Sequence, residues 1–152
     1  MKRAYEDFEV GLEIPLGPHT AERDEMIAFA TEFDPQPFHL DDAAGGANEL
    51  VGSLTASGWH TCSMMMRMMA DSYLLDSTSQ GSPGVDFVNW KAPVRAGDTL
   101  SGTARVLSQR LSAKRPTLGI TKLRVTLENQ DHVTVIETEY SLLLLTREGA
   151  AA

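Results

Sequence analysis

The feature that most constrains this chain is the segment from Ala56 to Leu75. Cys62, Met64, Met65, Met66, Met68, Met69, Tyr73, Leu74 and Leu75 leave Arg67 as its only full charge before Asp71. A helix that is apolar nearly all round must be buried, and this one is too short and too interrupted to cross a bilayer. Something must therefore wrap around it. Ser57 or Thr55 is placed to cap its start, with Gly58 in the first turn.

The wrapping material lies downstream. After a Ser-, Gly- and Pro-rich loop at 76–84, four segments carry β patterns. Val85–Trp90 is the first. Leu100, Gly102, Ala104 and Val106 alternate with Ser101, Thr103 and Arg105 in the second. Leu123, Val125 and Leu127 alternate with Lys122, Arg124 and Thr126 in the third, and Val133 to Leu145 forms the fourth. The turn-like joints Arg95-Ala96-Gly97-Asp98 and Asn129-Gln130-Asp131 favour antiparallel pairing.

Upstream, Phe8, Val10, Leu12, Ile14 and Leu16 alternate with polar or small residues, as in an edge strand or arm that tolerates Pro15 and Pro18. Met26, Ile27, Phe29, Ala30 and Phe33 follow at helical spacing, predicting a short amphipathic helix over 21–33. It must stop near Asp34, because Pro35 disfavours the helical conformation of the residue before it. Residues 41–53 are small, polar and Gly-rich, and read as a loop with about one helical turn. With no internal repeat and no linker, residues 1–152 read as one domain of the α+β class, an antiparallel sheet around a central helix.

Charge and cysteine content narrow the function classes. A net charge of −8 argues against nucleic acid or an anionic membrane as partner, since both attract basic surfaces. The single cysteine, Cys62, cannot form an internal disulfide, which points to the cytoplasm. Acidic residues follow Met1-Lys2-Arg3 where a signal peptide would be apolar. No Cys/His spacing resembles a metal site, and no Gly-rich phosphate loop is present.

The densest chemistry is Phe33-Asp34-Pro35-Gln36-Pro37-Phe38-His39. It holds a carboxylate and an imidazole five residues apart on a backbone stiffened by two prolines. An imidazole titrates near neutral pH, and a neighbouring carboxylate supplies a second acid/base group. The alternative is structural, with Asp34 ending a helix and His39 an ordinary histidine. His60, in the first turn of the apolar helix, fits packing or capping better than catalysis. His19 and His132 have no carboxylate motif beside them. The methionines at 64–69 suit core filling, and their flexible thioethers also suit an adaptable acyl pocket.

The 33–39 segment resembles the hydratase motif of the MaoC-like dehydratases, the (R)-specific enoyl-CoA hydratases. That motif runs Gly-Asp-x-Asn-Pro-hydrophobic-His. Asp34, Pro37, Phe38 and His39 match, whereas Phe33 replaces the Gly and Gln36 the Asn. Ala56-Ser57-Gly58-Trp59-His60-Thr61 is similar to the family's entry to its central helix, where His-Gly is commoner than this Ser57-Gly58. Lys91-Ala92-Pro93-Val94-Arg95-Ala96-Gly97-Asp98-Thr99-Leu100 resembles its Pro-Val-x-x-Gly-Asp-Thr-Leu turn.

The resemblance implies a hot-dog fold and a homodimer with a continuous sheet. It implies a lyase that adds water to a trans-2-enoyl-CoA thioester or removes it from the product. Asp34 and His39 would activate the water, and the Gly58 N–H would receive the thioester oxygen, with Gln36 and Ser57 as substrate contacts. Coenzyme A enters only as part of the substrate. Arg110, Lys114 and Arg115 form either a solvated hairpin end or a landing site for its phosphates. Two rivals stand beside this reading. A hot-dog thioesterase usually carries its carboxylate on the central helix, where this chain has no acid between Ala56 and Ala70. A non-catalytic acyl-CoA-binding module would have kept the fold and lost the chemistry.

Overall fold

A computed structural model describes residues 1–152. The strands are β1 (Glu13–Thr20), β2 (Val85–Trp90), β3 (Thr99–Leu111), β4 (Leu118–Glu128) and β5 (Thr134–Leu145). The helices are α1 (Arg23–Phe33), α2 (Asp42–Ala47), α3 (Gly58–Met69) and α4 (Arg147–Ala151). One sheet runs β1-β3-β4-β5-β2, and every neighbouring pair is antiparallel. It curls around α3, the α+β hot-dog arrangement expected from the sequence.

The alternation in β4 and β5 places Leu123, Val125, Leu127, Ile136, Tyr140, Leu142 and Leu144 on the face that meets α3. Met64, Met65, Met68 and Met69 answer from the helix, and all are buried. The methionine run is thus mainly core. Beyond Met69 the helix widens into a π turn over Ala70–Leu74, which buries Tyr73 so that its hydroxyl meets that of Tyr140 at 2.6 Å.

The sheet and α1 do not enclose α3 completely. Trp59, Ser63 and Met66 form an exposed line at helical spacing, with Met66 51% exposed. This corrects the expectation of a helix buried on every side. Beside that line runs β2, an edge strand with Val85 59% exposed. Between them lies an apolar cavity of about 330 Å³ lined by Trp59, Cys62, Met66, Met69, Val88 and Tyr140, among others.

Helix α1 starts at Arg23, two residues later than its pattern suggests. Ala21 is held by the turn before β3, its N–H donating to the Asp98 carbonyl and its own carbonyl accepting from Gly97. The helix ends where Pro35 requires, with Asp34 out of the helical conformation at its C-cap, at φ −150° and ψ 69°. The loop at 41–53 contains the short α2, whose first turn is capped by Asp41 accepting from the Ala44 N–H at 2.7 Å. No helix is long and apolar enough to cross a membrane.

Candidate active site

The site is assembled by three chain segments. After α1, Pro35 and Pro37 bend the chain into a 3-10 turn over Pro37–His39, which points His39 back toward Asp34. Residues 54–57 are strung between this turn and the segment before β3. The Thr55 N–H donates to the Phe38 carbonyl, and the Ala56 N–H to the Val94 carbonyl. This places Ser57 and Gly58, the cap and first residue of α3, beside the Asp34 carboxylate.

Asp34 Oδ2 lies 3.4 Å from His39 Nε2, with the two side chains 19% and 9% exposed. Ser57 Oγ donates to Asp34 Oδ2 at 2.6 Å, and Gln36 Nε2 donates to Oδ1 at 2.8 Å. The Ser57 hydroxyl holds the Asp34 carboxyl below the usual carboxylate range. Burial opposes it, while Gln36 and His39 add further downward pulls. Asp34 is therefore ionised at neutral pH.

His39 Nδ1 sits 2.7 Å from the Thr55 carbonyl oxygen. A carbonyl can only accept, so Nδ1 carries the proton, and in the neutral ring the Nε2 lone pair faces Asp34. Two acceptors then face one another at 3.4 Å. A water donating one proton to Nε2 and the other to the carboxylate satisfies both, and leaves its oxygen lone pairs pointing outward.

Gly58 opens α3, and the N–H groups of Gly58, Trp59 and His60 donate to no protein group. These orphan donors and the positive end of the helix favour a developing negative charge. Trp90, at the end of β2, donates from Nε1 to the Gly58 carbonyl at 2.9 Å. A Cβ added to Gly58 would lie 2.7 Å from Trp90 Cε2, so the indole occupies the space that any side chain there would need. His39, Thr55, Gly58, Thr61, Trp90 and Lys91 border one cavity of about 310 Å³. The more apolar cavity along α3, which Trp59 borders, holds none of the acid/base groups.

The structure thus gathers Asp34, Gln36, His39, Ser57 and Gly58. It shows Ser57 doing something other than expected. The side chain makes no cap bond to α3, and its wholly buried hydroxyl is spent on Asp34. Gln36 likewise orients the carboxylate. Arg110, Lys114 and Arg115 do not join the site within one chain. Trp90, Ile136, Leu127 and Gly102 form one row across the sheet. Arg110 lies eight residues beyond Gly102 on β3, roughly 26 Å away at the usual strand rise. All three cations are exposed around the β3–β4 turn. The parts that Thr55 and Trp90 play in the site escaped the sequence reading, in which Thr55 is only a candidate helix cap and Trp90 only a strand end. Nothing near Thr55 or Trp90 in the chain announces contacts that span 16 and 32 residues. No group of three or more His, Cys, Asp or Glu side chains comes together as a metal site.

Comparison with known proteins agrees with this architecture. A family model described as "MaoC like domain" matches residues 8–129. The chain is similar to a MaoC-like dehydratase from Rhodospirillum rubrum, with 33% identity, 95% of this chain and 97% of that one covered, and a TM-score of 0.86. R-hydratase PhaJ1 from Pseudomonas aeruginosa shares the fold at 20% identity, with coverage of 96% and 88% and a TM-score of 0.76. A curated relative, the uncharacterized protein YdeM of Bacillus subtilis, is 26% identical over 139 residues, covering 91% of this chain and 96% of the relative. By the match over residues 8–129, with the Asp34–His39 loop inside it, this chain belongs to the MaoC-like domain family.

Proposed function

We propose that the protein is a hydro-lyase that adds water to a trans-2-enoyl-CoA thioester, or removes it from the 3-hydroxyacyl product. One observation carries this reading: Asp34, His39 and the unpartnered N–H of Gly58 converge at the same end of α3. The carboxylate, kept ionised by Ser57, orients the water and stabilises the imidazolium that forms. The Nε2 lone pair of His39, set by the Thr55 carbonyl, takes the water's proton as its oxygen bonds to Cβ. Electron density moves from the Cα=Cβ bond to the thioester oxygen, where the Gly58 N–H receives it. The proton then passes to Cα, so one water is added and nothing else is consumed.

The thioesterase alternative lacks support because α3 supplies no carboxylate. The binding-module alternative leaves the oriented Asp34–His39 pair without a use. Loss of conjugated-enoyl absorbance without free thiol, when purified protein meets enoyl-CoA thioesters of varied chain, selects the hydratase. Thiol release would select the thioesterase, and no change with any thioester would select the binding module.

The same reading includes a homodimer formed across β2. Its unpaired edge and the apolar line of α3 are surfaces that a second copy would cover. Antiparallel pairing of β2 with its own copy turns the second sheet end for end. That brings the partner's β3–β4 turn to the Trp90 end, and it is the arrangement in which the 110–115 cluster would meet coenzyme A phosphates. The single free Cys62 fits a cytoplasmic setting.

A further inference from the structure

His60 is the third residue of α3, two beyond Gly58, and is buried at 8% exposure. Its Nδ1 is the one buried side-chain polar atom in the protein with no hydrogen-bond partner. Such atoms are few in native proteins, and each calls for an explanation. The ring lies flat on Phe29, with centroids 4.9 Å apart and planes 15° apart, and Phe29 in turn packs on Phe33 at 5.2 Å. Phe33 directly precedes Asp34. A row of three rings therefore runs from Phe33, the last residue of α1, to His60 in the first turn of α3.

We infer that His60 is a specificity-determining residue that hydrogen-bonds an oxygen function on the acyl part of the substrate, a hydroxyl or a carboxylate a few carbons beyond Cβ. The inference rests on the hydro-lyase reading for its frame. With the thioester oxygen at Gly58 and Cβ over the Asp34–His39 pair, the rest of the acyl group must leave past Asp34. The Phe33–Phe29 face then carries it toward His60. The apolar wall accepts the methylenes, and the unmatched nitrogen at its end accepts or donates one hydrogen bond. Burial pushes the imidazole pKa down, outweighing the pull of Glu25, so the ring is neutral at pH 7 and offers one donor and one acceptor nitrogen. Neither Glu25 nor His19 hydrogen-bonds its Nδ1. A purely hydrocarbon acyl group would leave Nδ1 as unmatched as it is in the free protein.

The test compares 2-hexenoyl-CoA with its isostere 5-hydroxy-2-pentenoyl-CoA and with 4-carboxy-2-butenoyl-CoA, for the wild type and His60→Leu. Sites built to hydrogen-bond a substrate group discriminate strongly against analogues lacking it, so wild-type kcat/KM should favour one oxygen-bearing thioester by about tenfold or more. His60→Leu should abolish that preference, bringing kcat/KM for the favoured thioester down to the value the same variant shows with 2-hexenoyl-CoA. Which of the two is favoured separates hydroxyl from carboxylate. Equal kcat/KM for all three wild-type substrates, or an equal loss on all three in the variant, overturns the inference.

A second readout needs no turnover and no variant. The ¹⁵N resonances of the His60 ring are followed in the wild type with hexanoyl-CoA, 5-hydroxypentanoyl-CoA and 4-carboxybutanoyl-CoA, none of which can be hydrated. A shift of Nδ1 with an oxygen-bearing ligand alone supports the inference even if no thioester is hydrated, in which case only the hydro-lyase reading falls. Hydration without any such shift removes the His60 assignment and leaves that reading intact.

Discussion

Ser57→Ala isolates the contact that holds the site's charge. The Ser57 hydroxyl is wholly buried and donates to Asp34 Oδ2 at 2.6 Å, and the Asp34 side chain is 19% exposed. A hydrogen bond to a charged group contributes about 1.5–3 kcal/mol. The alanine variant should lose stability of that order at pH 7. For a chain of this size the thermal midpoint should fall by roughly 3–12 °C at fixed protein concentration.

The pH dependence separates this account from simple loss of packing. Asp34 has a folded pKa below its unfolded value. Its stabilisation is therefore complete above the unfolded value of about 3.9 and fades as pH falls through the folded one. Urea unfolding of both proteins, from neutral pH into the acid range, should show the gap between them narrowing at the acid end. The Asp34 carboxyl should titrate at higher pH in the variant, because it has lost its hydroxyl donor, and ¹³C NMR of the side-chain carboxyl reads this directly. A stability gap that stays constant with pH, together with an unmoved Asp34 titration, would refute the reasoning.

Gly58→Ala places a methyl 2.7 Å from Trp90 Cε2, so the indole must move and its 2.9 Å bond to the Gly58 carbonyl is lost. Hydration should fall by about 10²–10³, as for loss of an oxyanion donor, and the Asp34 titration should stay in place. Met66→Glu puts a charge on the open line of α3, and sedimentation should show a dimeric wild type and a monomeric variant. A wild type that is monomeric and fully active at micromolar concentration would remove the dimer from the account. Neutralising Arg110, Lys114 and Arg115 together should raise KM for a CoA thioester in a salt-dependent way and spare the pantetheine thioester. Equal losses on both would show that the cluster is not a phosphate site.

Most of the fold was legible because its elements have clean periods. Val85–Trp90 is a strand in the structure with the limits its composition suggests, and the alternation through β5 leads directly to its buried face. The reading fell short where the period breaks. Strand β3 continues to Leu111 through a bulge between Val106 and Ser108, which reverses the alternation and hides the rest of the strand. Strand β4 starts at Leu118, before its clear pattern. There Gly119 lies under the Tyr5 ring, at a distance that admits no Cβ. The open face of α3 was hidden for a different reason. Composition shows that Trp59 and Met66 are apolar, but not that a single chain's sheet is too narrow to cover them.

In the site, the Asp34–His39 pair was legible because both residues belong to one short, proline-stiffened loop. The groups that tune the pair were not. Ser57 reaches Asp34 across 23 residues, the Thr55 carbonyl reaches His39 across 16, and Trp90 reaches Gly58 across 32. Such contacts exist only once the sheet has closed around α3.

The most direct test is the hydration rate of Asp34→Asn. Asparagine keeps the size of the side chain but removes the charge that orients the water and balances the His39 imidazolium. Acid/base groups typically contribute about 10²–10⁴-fold, so the rate on an enoyl-CoA substrate should fall by at least that order, with the protein folded and its sedimentation unchanged. Adding His39→Ala to it should cost far less than the product of the single losses, because both side chains act on one water. A folded Asp34→Asn protein that hydrates its substrate at nearly the wild-type rate would contradict the mechanism.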